Sequence, residues 1–369
     1  MGMLDGVRIL DLSRLLPGPA CASWLRGQGA VVDRVEAPGR GDFTRHIPPY
    51  VPVEGGEVGA YFAATSRGVR SVAVDLRHAD GIALVRRLAP RYDVLLEGFR
   101  PGVLEAMGLG PDVLHAEAPG LVIARLSGYG QTGPWASRVG HDVNYLGLSG
   151  ALSAQAEGPR GLALPTVQVA DMAGALVAAA GICAALAERA RTGRGRVLDV
   201  SLAEAALWVA SPLLAGATGE GVDPGPGEHL LSGGLPVYGT FRCADGRWLT
   251  LGALEPKFQQ ALVARLDGDL GVLDHPVLAA RLATQPRDHW VEALQEVCAG
   301  PALAPSEVAD HPQHAARGAA VRQGAITWVR PPLGELPDGG VPALGAHTDV
   351  VLGEAGVDAG PLRAAGAVA

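Results

Sequence analysis

Short apolar segments alternate with helix-like segments over the first two hundred residues, and this alternation most constrains the fold. Residues 7–12 predict a strand, residues 17–29 a helix and residues 31–35 a second strand. Two strands joined in this way must be parallel, with a right-handed crossover. The further predicted elements are strand 71–76, helix 79–88, strand 93–96, short helices up to 118, strand 121–126, helix 171–191, strand 195–200 and helix 201–214. The pattern indicates an α/β fold whose parallel sheet is covered on both faces.

The pattern changes after residue 215, and a chain of 369 residues is long enough for two domains. Residues 216–234 are rich in Gly and Pro and show no periodicity, which is typical of a linker. Residues 237–243 and 247–252 flank Ala244-Asp245-Gly246 and predict a β-hairpin. We therefore expect a large α/β domain over 1–215, a linker over 216–234, a smaller α+β domain over 235–320, and a C-terminal segment, 321–369, that returns to the large domain.

Charge and cysteine usage limit the classes of partner. The net charge of -8 argues against a nucleic-acid binder, although a local basic pocket stays compatible with it. Cys21, Cys183, Cys243 and Cys298 form no CxxC pair, so we expect a reducing compartment and no metal site. No signal peptide precedes the first strand, and the alanine-rich run at 173–187 is typical of a buried helix rather than of a membrane span. The expectation is a cytoplasmic protein without nucleic-acid or membrane partners.

Familiar nucleotide-binding and hydrolase motifs are missing. The first strand leads into Leu16-Pro17-Gly18-Pro19 and not into G-x-G-x-x-G, so a dinucleotide fingerprint is absent. The sequence also has no P-loop, no G-x-S-x-G elbow and no H-E-x-x-H helix. No redox or metal cofactor is expected.

Three well-separated positions carry groups suited to moving a proton. His141 lies in Gly140-His141-Asp142-Val143-Asn144-Tyr145, and an unperturbed imidazole with a pKa near ~6.5 is either a base or an acid at working pH. Asp171 opens an apolar helix, where it is also a suitable N-cap. Glu255 precedes Pro256, where a glutamate also complements a helix dipole. Asp142 either assists His141 or caps its helix, so from the residues alone a structural role stays open for all four.

Several segments resemble class III CoA-transferases of the CaiB/BaiF type. They follow the family order over nearly the whole chain: Leu16-Pro17-Gly18-Pro19, Arg34-Val35-Glu36-Ala37-Pro38-Gly39, Glu97-Gly98-Phe99-Arg100-Pro101-Gly102, Ser127-Gly128-Tyr129-Gly130-Gln131-Thr132-Gly133-Pro134 and Leu344-Gly345-Ala346-His347-Thr348-Asp349. Within the family, the stretch around His141 and Leu254-Glu255-Pro256 resemble the α-methylacyl-CoA racemase branch, whereas the transferases usually have an aromatic residue in place of His141. One departure is the run 25–30, Leu-Arg-Gly-Gln-Gly-Ala, which lacks the Asp of the family's L-A-D-x-G-A.

The resemblance implies an isomerase that inverts the α-carbon of a 2-methylacyl-CoA thioester in an interlocked homodimer. His141 and Asp171 would be the two bases, Glu255 would partner His141 from the second domain, and Asp142 would assist. CoA belongs to the substrate, so no separate cofactor is implied. One alternative is a CoA-transferase with Asp171 as nucleophile, and a second is a CoA-binding protein without turnover.

The resemblance also implies contacts to the CoA portion and to the thioester. The phosphates require basic side chains in loops or at strand-to-helix junctions, and the candidates are Arg40, Arg45, Arg67, Arg70 and Arg100, together with the backbone at Gly98. Tyr145 would line the thioester pocket. Backbone N–H groups of residues 142–146 or 171–174 would stabilise an enolate. The acyl chain itself stays open among branched fatty acyl, bile-acid-like and polyketide-like thioesters.

Overall fold

Strands and helices alternate along the chain in the computed structural model, which describes residues 2–266 and 273–369. The strands are β1 (Arg8–Asp11), β2 (Val31–Glu36), β3 (Tyr50–Val53), β4 (Gly56–Gly59), β5 (Arg70–Ala73), β6 (Val94–Glu97), β7 (Val122–Ser127), β8 (Glu157–Gly158), β9 (Gly161–Leu162), β10 (Val197–Ser201), β11 (Tyr238–Arg242), β12 (Trp248–Gly252), β13 (Ala299–Ala302), β14 (Ala320–Gln323) and β15 (Ile326–Val329). The α-helices are α1 (Pro17–Gly27), α2 (Ala60–Ser66), α3 (Ala79–Leu88), α4 (Val103–Ala106), α5 (Pro111–Glu117), α6 (Asp142–Leu148), α7 (Val169–Thr192), α8 (Leu202–Val209), α9 (Ser211–Glu220), α10 (Pro256–Arg265), α11 (His275–Leu282), α12 (Arg287–Ala293), α13 (Pro312–Arg317), α14 (Thr348–Glu354) and α15 (Ala359–Ala364).

The first of two compact units contains Met1–Ser149, Val167–Val209 and Pro312–Ala369. Its centre is a parallel sheet with the strand order β10-β7-β6-β1-β2-β5, which is the doubly wound Rossmann order. The chain reverses its direction of travel across the sheet at β1, so β2 and β6 flank β1. In such sheets a crevice opens between the loops that follow the two strands at the reversal, here β1 and β6. The predicted α/β class is confirmed.

Alternate residues of the central strands enter two different cores, because successive strand side chains point to opposite faces. Ile9 and Leu96 belong to a core that helices α1 and α7 cover, which we call the α1/α7 core. Leu10 and Leu95 belong to the opposite core, which α3 and α14 cover and which we call the α3/α14 core. Burial on both faces explains why apolar residues occur on both faces of these strands and do not alternate with exposed polar residues.

Helix α7 is long and apolar enough to cross a membrane by length and composition alone. The prediction of a buried helix holds for one face, where Ala178 and Ile182 belong to the α1/α7 core. Leu176 and Val177 on the same helix are exposed. The helix ends as the sequence predicts, because Gly193 follows in the left-handed conformation with φ +71.

The second unit, Gly150–Thr166 and Ala210–His311, has an antiparallel sheet of order β11-β12-β13. Strands β11 and β12 form the predicted hairpin, with Phe241 opposite Leu249. Both residues belong to the core of this unit, with Leu262 of α10 and Trp290 of α12. Strand β13 was not predicted, because it pairs with β12 across about fifty residues of chain.

The structure changes several predicted boundaries. The helix expected over 201–214 is two helices, α8 and α9, because Pro212 has no N–H and cannot continue the preceding helix. Helix α9 runs to Glu220, so the first part of the expected linker is helical. Residues 150–166 group with the second unit, although they were expected in the large domain. The hairpin of β3 and β4 was not predicted.

The C-terminal segment Pro312–Ala369 belongs to the first unit. The Ala73 amide donates to Thr348 Oγ1 at 3.0 Å, and Val368 forms a bridge with Val74. These contacts extend the edge of the sheet beyond β5.

Candidate active site

His141 occupies the N-cap position of α6. Its backbone N–H donates to Asn144 Oδ1 at 3.0 Å, and its carbonyl accepts from the Asn144 amide at 2.8 Å. These reciprocal bonds fix the backbone at the helix start, as a capping box does. The backbone of His141 is therefore fixed, while its side chain is exposed and the imidazole is open to a ligand.

Asp142 and Asp171 are joined through a hydrogen bond that links two helices. Asp142 Oδ1 accepts from the Asp171 backbone N–H at 3.0 Å, so the N-terminus of α6 lies against that of α7. Helix α7 begins at Val169 with Gln168 as its N-cap, so the prediction that Asp171 is the N-cap is wrong. The physical reason is that Asp142, from another helix, satisfies a free N–H of the first turn and allows the helix to start earlier.

The carboxyl group of Asp171 has a pKa raised to about 7, first because burial disfavours its charged form and second because Asp142 lies close to it. Other buried carboxylates of the sheet have an arginine partner: Asp11 is bound to Arg34 and Glu97 to Arg125. Within the described part of the chain, Asp171 has no such cation. Asp171 is therefore a group that exchanges a proton near neutral pH.

Tyr145 fixes the segment that directly precedes His141. Its hydroxyl donates to the Gly140 carbonyl at 2.6 Å, directly before His141. A Cβ on Gly128 would lie 2.4 Å from the tyrosine ring, so this position accepts only glycine without a rearrangement. Burial and the nearby Asp171 raise the pKa of Tyr145 to about 12, which keeps its hydroxyl protonated. Because Tyr145 is buried, its observed contacts are those of a support for the loop rather than of a pocket wall.

The segments 142–146 and 171–174 differ in the backbone N–H groups that they leave without an acceptor. In α7 the Asp171 amide is bound to Asp142, and the Met172 amide is bound to the Gln168 carbonyl at 3.0 Å. In α6, no acceptor in residues 2–266 or 273–369 binds the amides of Asp142 and Val143. Of the two segments considered for an enolate, the start of α6 has the open donors.

Glu255 lies in the second unit, as the N-cap of α10, and its side chain is exposed and makes no capping hydrogen bond. Its pairing with His141 stays a prediction.

Three of the five candidate arginines are engaged within the protein. Arg70 binds Asp33 through two nitrogens and also Glu354, and it starts β5, so it lies at the amino end of the sheet and not at a strand-to-helix junction. Arg67, three residues earlier, donates to the Pro337 carbonyl at 2.8 Å. Arg45 is bound to Glu36. The sequence did not show the partners of Arg70 and Arg67, because they depend on strand register and on the returning C-terminal segment.

Arg40 and Arg100 are exposed and follow the carboxyl ends of β2 and β6, at the edge where this fold binds ligands. Arg14, after β1, is also exposed; it was not among the predicted residues, although its position directly after the central strand was a usable signal. The loops after β1 and β6 approach closely, since a Cβ on Gly98 would be 3.6 Å from Ser13 Cβ. Gly98 therefore lies beside the crevice between β1 and β6, and its predicted contact with CoA stays a prediction.

No group of three or more His, Cys, Asp or Glu side chains in the described ranges is arranged to hold a metal ion.

The fold and the site together define a doubly wound α/β protein with a candidate acid–base centre beside two helix starts. A family model described as CoA-transferase family III matches residues 4–348, and the chain belongs to that family. It is 35% identical over 377 residues to the human α-methylacyl-CoA racemase, and the alignment covers 96% of this chain and 93% of the racemase. It is also 35% identical over 254 residues to the mouse succinyl-CoA:glutarate CoA-transferase, covering 69% of this chain and 57% of the transferase.

Solved structures agree with the fold. A CaiB/BaiF family protein from Brucella suis has a TM-score of 0.85 and 30% identity, covering 96% of this chain and 99% of that one. The resemblance found from the sequence is thus confirmed. Family membership and these relatives support a racemase or CoA-transferase role.

Proposed function

We propose that this protein is a 2-methylacyl-CoA racemase that inverts the α-carbon of an acyl-CoA thioester by proton transfer, with His141 and Asp171 as the two bases. The observation that carries the proposal is the pKa of Asp171, raised to about 7 in a site with no cationic partner in the described chain. A carboxyl group poised near working pH takes up and returns a proton with little penalty in either direction. The nearly full-length similarity to the human racemase supports the same choice.

The reaction needs no group besides the protein and its thioester substrate. One base removes the α-proton, the electron pair moves into the thioester carbonyl, and the other base returns a proton to the opposite face. The enolate oxygen then carries negative charge. The open amides of Asp142 and Val143 are suitable donors to it, because they are fixed before the charge develops.

The CoA portion would lie along the carboxyl edge of the large sheet. Arg40 and Arg100 are exposed there, without ion-pair partners in the described residues, and Gly98 allows close approach of the backbone. Arg67 and Arg70 are less suited to this role, because their guanidinium groups are engaged at the opposite edge. We propose an acyl-CoA substrate with no separate cofactor, and a cytoplasmic homodimer.

A CoA-transferase is the second candidate, favoured by the similarity to the glutarate CoA-transferase. In that reaction the Asp171 carboxylate attacks the thioester carbon, CoA thiolate leaves, and an acyl anhydride forms on the enzyme. A CoA-binding protein without turnover is the third. Only the racemase exchanges the α-hydrogen with solvent when no acceptor acid is present.

The decisive experiment follows deuterium uptake from deuterated water into each hand of a 2-methylacyl-CoA, with no acceptor acid added. We expect wild type to exchange the α-hydrogen and interconvert both hands. His141→Ala should slow exchange from one hand by about 100-fold or more, the usual worth of a positioned base. His78→Ala is the matched control, because His78 is also an N-cap histidine, at α3, is partly exposed, and should exchange normally. Normal racemisation by His141→Ala would disprove the assignment.

Hydroxylamine distinguishes the transferase. It cleaves an acyl anhydride on Asp171, so a transferase incubated with its acyl donor would be inactivated, while a racemase would keep its activity. The proposed partner of His141 is tested by Glu255→Gln, which should slow deuterium exchange from the hand that uses His141 and leave CoA affinity unchanged.

A further inference from the structure

Leu15, in the loop after β1, has an uncommon backbone conformation. Its φ is +68, in the left-handed region that favours glycine, and within the described chain only Leu333 shares this property among non-glycine residues. Such conformations persist where surrounding contacts enforce them, and they concentrate at functional sites. The loop lies beside the crevice between β1 and β6, so the contacts that hold Leu15 are of interest.

Asp42 supplies that contact from the loop after β2. Its Oδ2 accepts from the Leu15 backbone N–H at 2.9 Å, and its Oδ1 accepts from the Thr44 amide at 2.8 Å and the Thr44 hydroxyl at 2.7 Å. Its own amide donates to Glu36 Oε2 at 2.9 Å. Asp42 is buried, so its carboxylate is a fixed link between the two loops.

Arg14 directly precedes Leu15. Its side chain is exposed, and the part of the chain that is described gives its guanidinium no partner. Arginines within the sheet behave differently, since Arg34 is bound to Asp11 and Arg125 to Glu97. An unpaired guanidinium on a loop whose conformation is enforced is suited to an anionic ligand.

The loops that carry Arg14, Arg40 and Arg100 follow β1, β2 and β6, which are neighbours in the sheet. The hydrogen bond from Leu15 to Asp42 ties the first two loops together, and the close approach of Ser13 and Gly98 joins the first and third. The three guanidinium groups therefore start from loops in direct contact at the ligand edge.

We propose that Arg14 binds a phosphate group of CoA together with Arg40 and Arg100, and that Asp42 is a positioning residue that directs Arg14 by holding Leu15. This inference rests on the proposed function only in taking CoA as the ligand. Asp42 acts through Leu15 and Arg14, and it has no contact with the ligand itself.

A double-mutant cycle on CoA binding tests the inference. Calorimetric titration with free CoA should show that Arg14→Gln weakens binding about tenfold, the worth of one charge-assisted hydrogen bond. Asp42→Asn should weaken it comparably, because an amide has one acceptor oxygen where two are required. The double variant should be only slightly weaker than either single variant, since both changes remove the same contact.

Leu15→Gly separates positioning from a general loss of structure. Glycine adopts positive φ without steric cost, so the Leu15→Gly/Asp42→Asn variant should regain most of the CoA affinity lost in Asp42→Asn. If Asp42 only stabilised the fold, this second change would not restore binding, because glycine adds freedom to the unfolded chain.

Asp93→Asn is the matched control. Asp93 also accepts a backbone N–H, that of Arg8 at 2.8 Å, and it binds Arg189, but it precedes β6 at the amino edge of the sheet. It should leave the CoA dissociation constant unchanged. Normal CoA binding by Arg14→Gln, additive effects in the cycle, or absence of rescue would each overturn the inference while leaving the racemase proposal intact. Failure of wild type to bind CoA would instead overturn the proposed function, and this assignment with it.

Discussion

A buried carboxylate behaves according to its partner, and two aspartates of this protein show the contrast. Asp11 is fully buried and bound to the Arg34 guanidinium at 2.8 Å, which offsets the cost of burying its charge. Asp171 has another carboxylate, Asp142, as its neighbour, and burial together with that neighbour raises its pKa to about 7. The first aspartate is suited to holding a structure together and the second to exchanging a proton.

The raised pKa of Asp171 predicts a pH-dependent stability. The native state holds this proton more tightly than the unfolded chain, so native Asp171 binds more protons between about pH 4 and 7. The stability that it contributes is complete below that window and is lost as the pH rises through about 7. Linkage sets a ceiling of about 4 kcal/mol on this loss, and solvent contact of the half-buried side chain reduces it.

Asp171→Asn removes this titrating group. The melting temperature of the variant minus that of wild type should therefore be larger at pH 8 than at pH 5, as measured by calorimetry at both pH values. The same variant should lose activity. A melting difference that is equal at both pH values would contradict the raised pKa. Asp358→Asn, an exposed helix cap, is the control and should show no such trend.

The sequence identified His141 and Asp171 as chemical groups, but it did not show how they are held. Asp142 and Asp171 are 29 residues apart and meet only because α6 packs against α7. In the same way, the sequence offers Arg70 and Arg100 as equal candidates for binding a CoA phosphate. In the structure Arg70 is bound to Asp33, whereas Arg100 is unpaired in the described residues. Such pairing depends on tertiary contacts, which local sequence patterns do not predict.

At the scale of elements, the Tyr145 ring contacts both the end of β7 and the segment that leads into α6. Tyr145 of α6 lies over Gly128, just past β7, and its hydroxyl holds the Gly140 carbonyl before His141. A side chain at position 128 would displace the ring and, through Gly140, the histidine.

Gly128→Ala should therefore lower the free energy of unfolding by about 1–3 kcal/mol, the usual cost of overpacking, and slow His141-dependent deuterium exchange. Chemical denaturation and the exchange assay measure the two effects. Gly353→Ala in α14 is the control, because a Cβ there meets nothing within 4 Å, and it should be neutral or stabilising. Wild-type exchange by Gly128→Ala would show that Tyr145 does not position His141.

Element positions were predictable where the sequence pattern is local. The limits of α3 agree with the prediction, and those of β6 and β7 differ by one residue, because apolar strands and an amphipathic helix have characteristic periods. The break between α8 and α9 was missed although Pro212 signals it.

At the scale of the whole molecule, α7 and α8 expose apolar side chains that a globular surface rarely presents together. They are Met172, Leu176, Val177, Leu207, Trp208 and Val209. The Trp208 side chain is 75% exposed. Contiguous exposed apolar residues mark interaction sites, and the proposed homodimer would cover them.

Trp208→Asp combined with Leu176→Asp should therefore give a monomer, because burying two carboxylates in an apolar interface is costly. Light scattering after size-exclusion chromatography measures the mass, with wild type expected at twice the chain mass. Val329→Asp in β15 is the control, since Val329 is nearly as exposed as Trp208 but lies outside these helices, and the variant should stay dimeric. A dimeric double variant would place the interface elsewhere.

The two cores of the first unit are completed by different stretches of chain, and this affects how the protein folds while the ribosome is still synthesising it. The buried residues of the α1/α7 core end at Val200, so this face can close while the second unit is still being translated. The α3/α14 core also requires Val351, Leu352 and Val368. Domains generally fold as units as the chain emerges, so a nascent chain of this protein would present the uncovered face of its sheet until these last segments arrive. During that interval the emerging polypeptide is a natural client for chaperones that bind apolar surface.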